Sequence, residues 1–261
     1  MDKEHPFLSK ENLNNVFLKT FIPEKFQGRN DGNRQIAKSE TGGLVLNRVE
    51  IYNVIKNYKI LRNLKHENIE VILNMVEEKD FIFFTTYFYV DSLQTVWKNK
   101  DNYNRAQIVN IFSDCHKALD FLKSKNICHG AIHEHNIAFN GKNWYISGLI
   151  TSNKTGECKS GVSNQACMKS RHYLLNDVLV PSDDMWQLVL MYVITYYGFI
   201  PFYYENRHEI FLNIFNGKCK IISFHNYSSK FGKKLYKILT RKYEAYDYDD
   251  ILEIFKTNTD N

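Results

Sequence analysis

Between Ile108 and Leu122 the residues Ile108, Ile111, Phe112, Cys115, Ala118, Leu119 and Leu122 recur at steps of three and four. This spacing predicts a helix of about four turns with one apolar face, which is stable only when another element covers it. A nearly uncharged stretch from Leu188 to Tyr204 follows later, interrupted by Gly198 and Pro201 and studded with tyrosines. It is marginal for a membrane span and suits a helix buried in a core. Upstream of Asp91 the pattern differs, with short extended runs at Val16–Leu18, Gln35–Ala37, Val71–Leu73 and Phe81–Phe84. One helix is predicted among them, near Val49 to Leu64, with Ile51, Val54, Ile55, Tyr58 and Leu61 on one face. Further helices are predicted near Asp184 to Tyr197, Glu209 to Phe215, Lys233 to Thr240 and Tyr248 to Phe255. Thr151 to Arg171 lacks periodicity and is rich in Ser, Thr, Asn, Lys and Gly, which predicts a long surface loop. A strand-rich half with one helix, followed by a mostly helical half, is an α+β arrangement.

Composition narrows the partners. With 44% hydrophobic and 24% charged residues the 261-residue chain can build a sizeable core and is not a disordered tail. The net charge of +5 is spread along the sequence and argues for no nucleic acid. Five cysteines, without a Cys-x-x-Cys pair or a charged-then-apolar leader, predict a reduced, cytoplasmic chain. No membrane insertion is expected.

Particular motifs then add a family. Cys128-His129-Gly130-Ala131-Ile132-His133-Glu134-His135-Asn136-Ile137 resembles the catalytic loop of protein kinases, His-Arg-Asp followed four residues later by Asn. Tyr145 to Ile150 resembles the strand and turn carrying Asp-Phe-Gly, and Gln35-Ile36-Ala37-Lys38 resembles Val-Ala-Ile-Lys. Asp184-Met185-Trp186, with Gly198 to Phe202 beyond it, resembles the buried helix and Gly-x-x-Pro-Phe turn of the helical lobe. The resemblance implies a bilobal protein-kinase-like fold over residues 1–261. Its strand-rich N-lobe would end at about residue 88, its hinge would cover about 86–92, and its C-lobe would begin at about 93.

The same alignment implies lost chemistry. Kinases transfer phosphoryl groups by positioning and charge stabilisation: a Lys held by a helix Glu, a base for the hydroxyl, and magnesium held by an Asp and an Asn. Here the base position is Ala131, the magnesium Asp is Gly148, and the Lys38 partner is Asn57. Only Gly28 and Gly32 precede Lys38, which is not the glycine-rich phosphate turn. The Ala-Pro-Glu position reads Leu175-Asn176-Asp177, and the Arg that would pair with its Glu aligns near Ala245. Losing both members of a buried ion pair is close to neutral, whereas losing one costs about 3–5 kcal/mol. The chain reads as a pseudokinase without cofactor. Lys38, Thr85 at the gatekeeper position and Asn136 mark a vestigial nucleotide cleft, where any ATP binding would be weak and independent of metal.

Among pseudokinases the chain resembles the MLKL-like group of necroptosis. The spacing from Phe26 to Lys38, the His129-Gly130 start of the loop and Ser147-Gly148-Leu149-Ile150 carry that resemblance. About 15 residues precede the first expected strand, too few for the four-helix killing bundle, as in the poxviral MLKL homologues. The implied function is that of a viral mimic that sequesters the host receptor-interacting necroptosis kinase (RIP kinase 3) and inhibits necroptosis. The alternatives are a scaffold or inhibitor acting on another host kinase or innate-immune sensor, and an atypical ATP-using transferase relying on Glu134 or His133.

Several residues carry blander readings beside these. Lys38 faces the cleft or is a solvated strand-end lysine, and Asn136 bonds the loop backbone or keeps a metal-binding ancestry. His129 reads as a buried structural residue, and Cys128 with His129, His133 and His135 is not a recognised zinc set. Thr151, Ser152, Thr155, Ser160, Ser163 and Ser170 are loop hydroxyls that a bound kinase could phosphorylate. Lys230 to Lys242 is basic but interleaved with Leu235, Ile238 and Leu239, the pattern of a solvated helix face.

Overall fold

The computed structural model describes residues 16–23, 44–46, 48–77, 82–87, 89–149, 152–156, 170–176, 178–198, 200–201, 216 and 238–239. Gln35–Ala37, Lys38, Glu209–Phe215 and Tyr248–Phe255 lie outside them, as do Gly28, Gly32, Asp177 and Ala245. The first part is a four-stranded sheet in the order β2-β1-β4-β3, built from β1 (Val16–Pro23), β2 (Leu44–Leu46), β3 (Ile72–Glu77) and β4 (Ile82–Tyr87). Strand β4 is antiparallel to both neighbours, and β1 is parallel to β2. The expected run at Val71–Leu73 is the start of β3, where the register shifts between Ile72 and Asn74. Ile72 is buried while Val71 and Leu73 on either side are exposed, the alternation of a strand with one covered face, which three consecutive apolar residues do not reveal in sequence.

Helix α1 (Arg48–Leu61) is the one predicted in this half. It ends three residues early because Asn63 and Leu64 close a tighter turn, their N–H groups reaching Ile60 O and Leu61 O. Leu64 nevertheless stays packed on the core. The second part contains α2 (Leu93–Lys98), α3 (Arg105–Ser124), α4 (Arg171–Asn176) and α5 (Pro181–Tyr197). It also holds the short strands β5 (Asp91–Ser92), β6 (Ile127–Cys128), β7 (Ile137–Phe139), β8 (Trp144–Ile146) and β9 (Asn153–Lys154). Strands of two or three residues and helices of six are too short to leave a period in sequence.

Helix α3 starts on a capping box in which Asn104 Oδ1 accepts the Gln107 N–H and Gln107 Oε1 accepts the Asn104 N–H. All seven stripe residues of α3 are buried. They face α5, with Phe112 meeting Tyr192 edge to face at 5.3 Å. Helix α5 starts on Pro181 and ends at Gly198, whose φ of +80° is the left-handed cap that favours glycine. Residues Met185, Trp186 and Leu188 through Val193 are all buried, so α5 is covered on every side, as its uncharged sequence predicts. Trp186 Nε1 donates to Leu239 O at 3.3 Å, and both Ile238 and Leu239 are buried, in keeping with the apolar stripe read in that segment. No helix among the described residues is long and apolar enough to cross a membrane.

Several contacts join the two parts, among them Asn68 Nδ2 donating to Trp144 O at 2.8 Å. Ile69, ahead of β3, forms a parallel bridge with Ile146 of β8. Glu70 N donates to Ile146 O and Ile146 N to Asn68 O, both at 2.9 Å. The segment 68–70 thereby lies against the turn at Gly148.

Candidate functional site

Helix α5 builds the site from below. Asp184 and Gln187, three residues apart, share one helix face. Asp184 accepts the backbone N–H groups of His129 at 2.7 Å and Gly130 at 2.5 Å, and Gln187 Oε1 accepts that of Ile132 at 2.9 Å. Gly130 has φ +69°, which lets the chain turn sharply enough to aim two successive N–H groups at one carboxylate. Sequence reading singled out Asp184 and missed Gln187. A polar residue three positions on in an otherwise apolar helix was the available signal.

His129 is fully buried and uses both ring nitrogens, with Nε2 donating to Ser147 O at 2.8 Å and Nδ1 accepting the Ala131 N–H at 3.2 Å. It ties the loop to the end of β8, the structural role expected of it. Ala131 presents a methyl group, which can neither accept a proton nor orient a hydroxyl. Its carbonyl accepts a hydrogen bond from Asn136 Nδ2 at 2.9 Å, and the same nitrogen lies 3.0 Å from His133 Nε2. Asn136 thus bonds the backbone of its own loop, the first of the two roles considered for it.

Asn136 also fills the space beside Gly148. A Cβ on Gly148 would lie 2.6 Å from Asn136 Oδ1 and 2.8 Å from Cγ, closer than real Cβ contacts come, and the glycine has φ +83°. Its N–H donates to Glu70 Oε2 at 2.8 Å. Glu70 is buried, and it is the carboxylate that sequence reasoning missed. It belongs to the segment before β3, far from every kinase motif in sequence, and the pairing of residues 68–70 with β8 brings it here. Burial, and secondarily the Glu70 charge, push the Tyr145 phenol above its ordinary value.

Asn57 on α1 donates through Nδ2 to Ser152 O, fastening the helix to the chain beyond Leu149. Thr85 lies in β4 between Leu18 of β1 and Asn74 of β3. His133 Nδ1 accepts the His135 N–H at 3.2 Å and the two rings sit 5.8 Å apart, whereas Cys128 turns to Thr155 and His129 to Ser147. Among the described residues no three His, Cys, Asp or Glu side chains gather as metal ligands. Glu134 carries its carboxylate 3.6 Å from His135 Nε2.

Of the loop hydroxyls, Ser152 and Ser170 are buried, Ser170 donating to the buried Asp183 at the start of α5. Neither is accessible to a kinase in this fold. Thr151, Ser160 and Ser163 lie outside the described residues. Asn176 of α4 bonds back to His172 O at 2.9 Å.

Cys128 is equally unsuited to nucleophilic chemistry. Burial, with the Asp184 charge behind it, pushes its thiol up to about 12. Cys115 on α3 is fully buried and raised as well. At pH 8 the native chain should alkylate Cys128 with iodoacetamide at least ~100-fold more slowly than the urea-unfolded chain, since reaction follows the thiolate fraction. Equal rates, read by mass spectrometry of the peptide containing Cys128, would refute this burial.

Comparison with known proteins agrees with the geometry. Relatives include the muscle M-line assembly protein unc-89 of Caenorhabditis elegans, 24% identical over 205 residues, which span 75% of this chain and 2% of that protein. Another is a probable myosin light chain kinase of Dictyostelium discoideum, 21% identical over 211 residues, spanning 74% of this chain and 54% of that protein. The chain therefore covers about half of one relative and a small fraction of the other. The protein kinase domain family matches residues 35–246, a range holding the loop at His129, the turn at Gly148 and the Asp184 helix. A bilobal α+β chain with these parts in this order belongs to the protein kinase domain family.

Proposed function

We propose that the chain is a catalytically inactive pseudokinase that acts by binding a partner kinase. The observation that carries this reading is the packing at Gly148. Where a magnesium-binding carboxylate would have to project, the Asn136 side chain occupies the space and is held there by Ala131 O. The family implies magnesium, and these groups do not fit it: Gly148 and Ala131 bring no oxygen side chain, Asn136 offers a neutral amide, and Glu70 Oε2 holds the Gly148 N–H.

The identity of the partner rests on the MLKL-like motifs, His129-Gly130 and Ser147 to Ile150, and not on the two relatives. They support a poxvirus-type MLKL mimic that sequesters host RIP kinase 3 and lowers its free concentration, so that necroptosis is not transmitted. Incubation of the purified chain with labelled ATP and Mg²⁺ or Mn²⁺ should give no label transfer, and Mg²⁺ should add nothing to any thermal shift by ATP. Precipitation from transfected cells should recover the necroptosis kinase, and expression should block necroptosis. Recovery of a different kinase or sensor would replace the named partner and leave the inert cleft standing.

Glu70 favours a second reading, an atypical transferase with a displaced carboxylate. Label transfer abolished by Glu70→Gln would establish it and overturn the first.

A further inference from the structure

The segment that couples the two parts of the fold is anchored by a titratable side chain. His66 Nδ1 accepts the backbone N–H of Asn68 at 3.1 Å. A ring nitrogen that accepts a hydrogen bond carries no proton, so this imidazole is neutral, with its hydrogen on Nε2. Asn68 is buried, and its N–H has no other acceptor among the described residues. The rest of Asn68 holds β8, its Nδ2 donating to Trp144 O and its carbonyl accepting the Ile146 N–H. Two residues on, Glu70 reaches the Gly148 N–H.

His66 is partly covered and stands among charges. Its ring stacks on Phe121 of α3 with centroids 4.9 Å apart, and Lys125 Nζ, just beyond that helix, lies 5.5 Å from the same Phe121 centroid. Lys117 of α3 also acts on the ring and is itself paired with Asp114 at 2.9 Å. Glu67 acts from the segment of His66 itself and accepts Asn143 Nδ2 at 3.2 Å. Strand β8, Trp144 to Ile146, brings no group that titrates between pH 5 and 8. Burial holds the imidazole below its ordinary value, with Glu67 drawing it up and Lys117 pressing it down.

Protonation puts a hydrogen on both ring nitrogens. Nδ1–H would then face the Asn68 N–H, donor against donor, and the buried amide would lose its acceptor. We propose that His66 is a pH-operated catch, whose protonation frees residues 68–70 from β8 and withdraws the Glu70 carboxylate from the Gly148 N–H. The stability that the neutral ring contributes is complete above the ordinary imidazole value of about 6.5 and is lost as the pH falls through the lower value of the folded chain. The catch stands on the pairing of 68–70 with β8 and does not depend on the inertness of the cleft.

The test is amide hydrogen exchange of the full chain, followed by NMR at pH 7.5 and 5.0, with each rate divided by that of an unstructured peptide at the same pH. In the wild type, protection of the Glu70, Ile146 and Gly148 amides should fall at least about tenfold at the lower pH, the loss of one buried acceptor, while amides in the middle of α3 and α5 change little. His66→Asn places a side-chain oxygen within reach of the N–H two residues on and does not titrate, so its protection should be the same at both pH values. His66→Ala should be poorly protected at both. Wild-type protection that does not change with pH, or that falls equally in His66→Asn, would overturn the proposal. Should the variants fail to fold, the imidazole nitrogen shifts of the wild type decide. A hydrogen on Nε2 at pH 7.5, with protonation coinciding with the loss of protection, supports the catch, and a hydrogen on Nδ1 at pH 7.5 overturns it.

Discussion

Replacing Asp184 by alanine should lower the free energy of unfolding by about 3–5 kcal/mol, the largest effect expected of any polar side chain in the helical part. The carboxylate is buried and accepts the N–H groups of His129 and Gly130. Its removal leaves two buried donors without an acceptor, each costing about 1–3 kcal/mol, in addition to the cavity. Asp184→Asn keeps one acceptor and turns an N–H toward the other donor, so a loss of about 2 kcal/mol is expected. Urea unfolding followed by tryptophan fluorescence reads both, and a loss below about 1 kcal/mol for alanine would show that the loop does not depend on this carboxylate.

On the proposed reading, placing carboxylates at positions 131 and 148 should not create phosphoryl transfer. In Gly148→Asp the new Cβ would meet Asn136 Oδ1 at 2.6 Å, so Asn136 must leave Ala131 O or the turn must move. Aspartate visits the left-handed region more readily than most residues, yet backbone strain together with the displaced amide should cost about 1–3 kcal/mol. The double variant Ala131→Asp with Gly148→Asp should remain at background with labelled ATP and Mg²⁺, and its unfolding midpoint should fall. Transfer of label above background by the double variant would show that the cleft lacks only two side chains, and the reading of Asn136 as an occupant of that space would fail.

How much of this was legible in sequence depended on the length and period of each element. Helices α3 and α5 were legible because one carries a stripe and the other is apolar all round, and both patterns persist over several turns. Ala131, Gly148 and Asp184 were legible because kinase motifs fix their spacing within a few residues. The groups that complete the site were not. Glu70 reaches Gly148 through pairing between segments far apart in the chain, and Asn57 spends its amide on Ser152 O, which no local pattern encodes. The strand β3 was legible only at its start, Ile72–Leu73, and its continuation through Asn74 to Glu77 carries no apolar run.

The bridge between Ile69 and Ile146 bears on where this polypeptide can be divided. A natural place to cut a two-lobed molecule is the stretch after β4, where few interactions ought to cross. Here such a cut would strip Asn68 O and the Glu70 amide of their mates on β8 and deprive the Gly148 amide of Glu70. Neither fragment would keep its own edge satisfied, so the halves are expected to unfold as one cooperative unit.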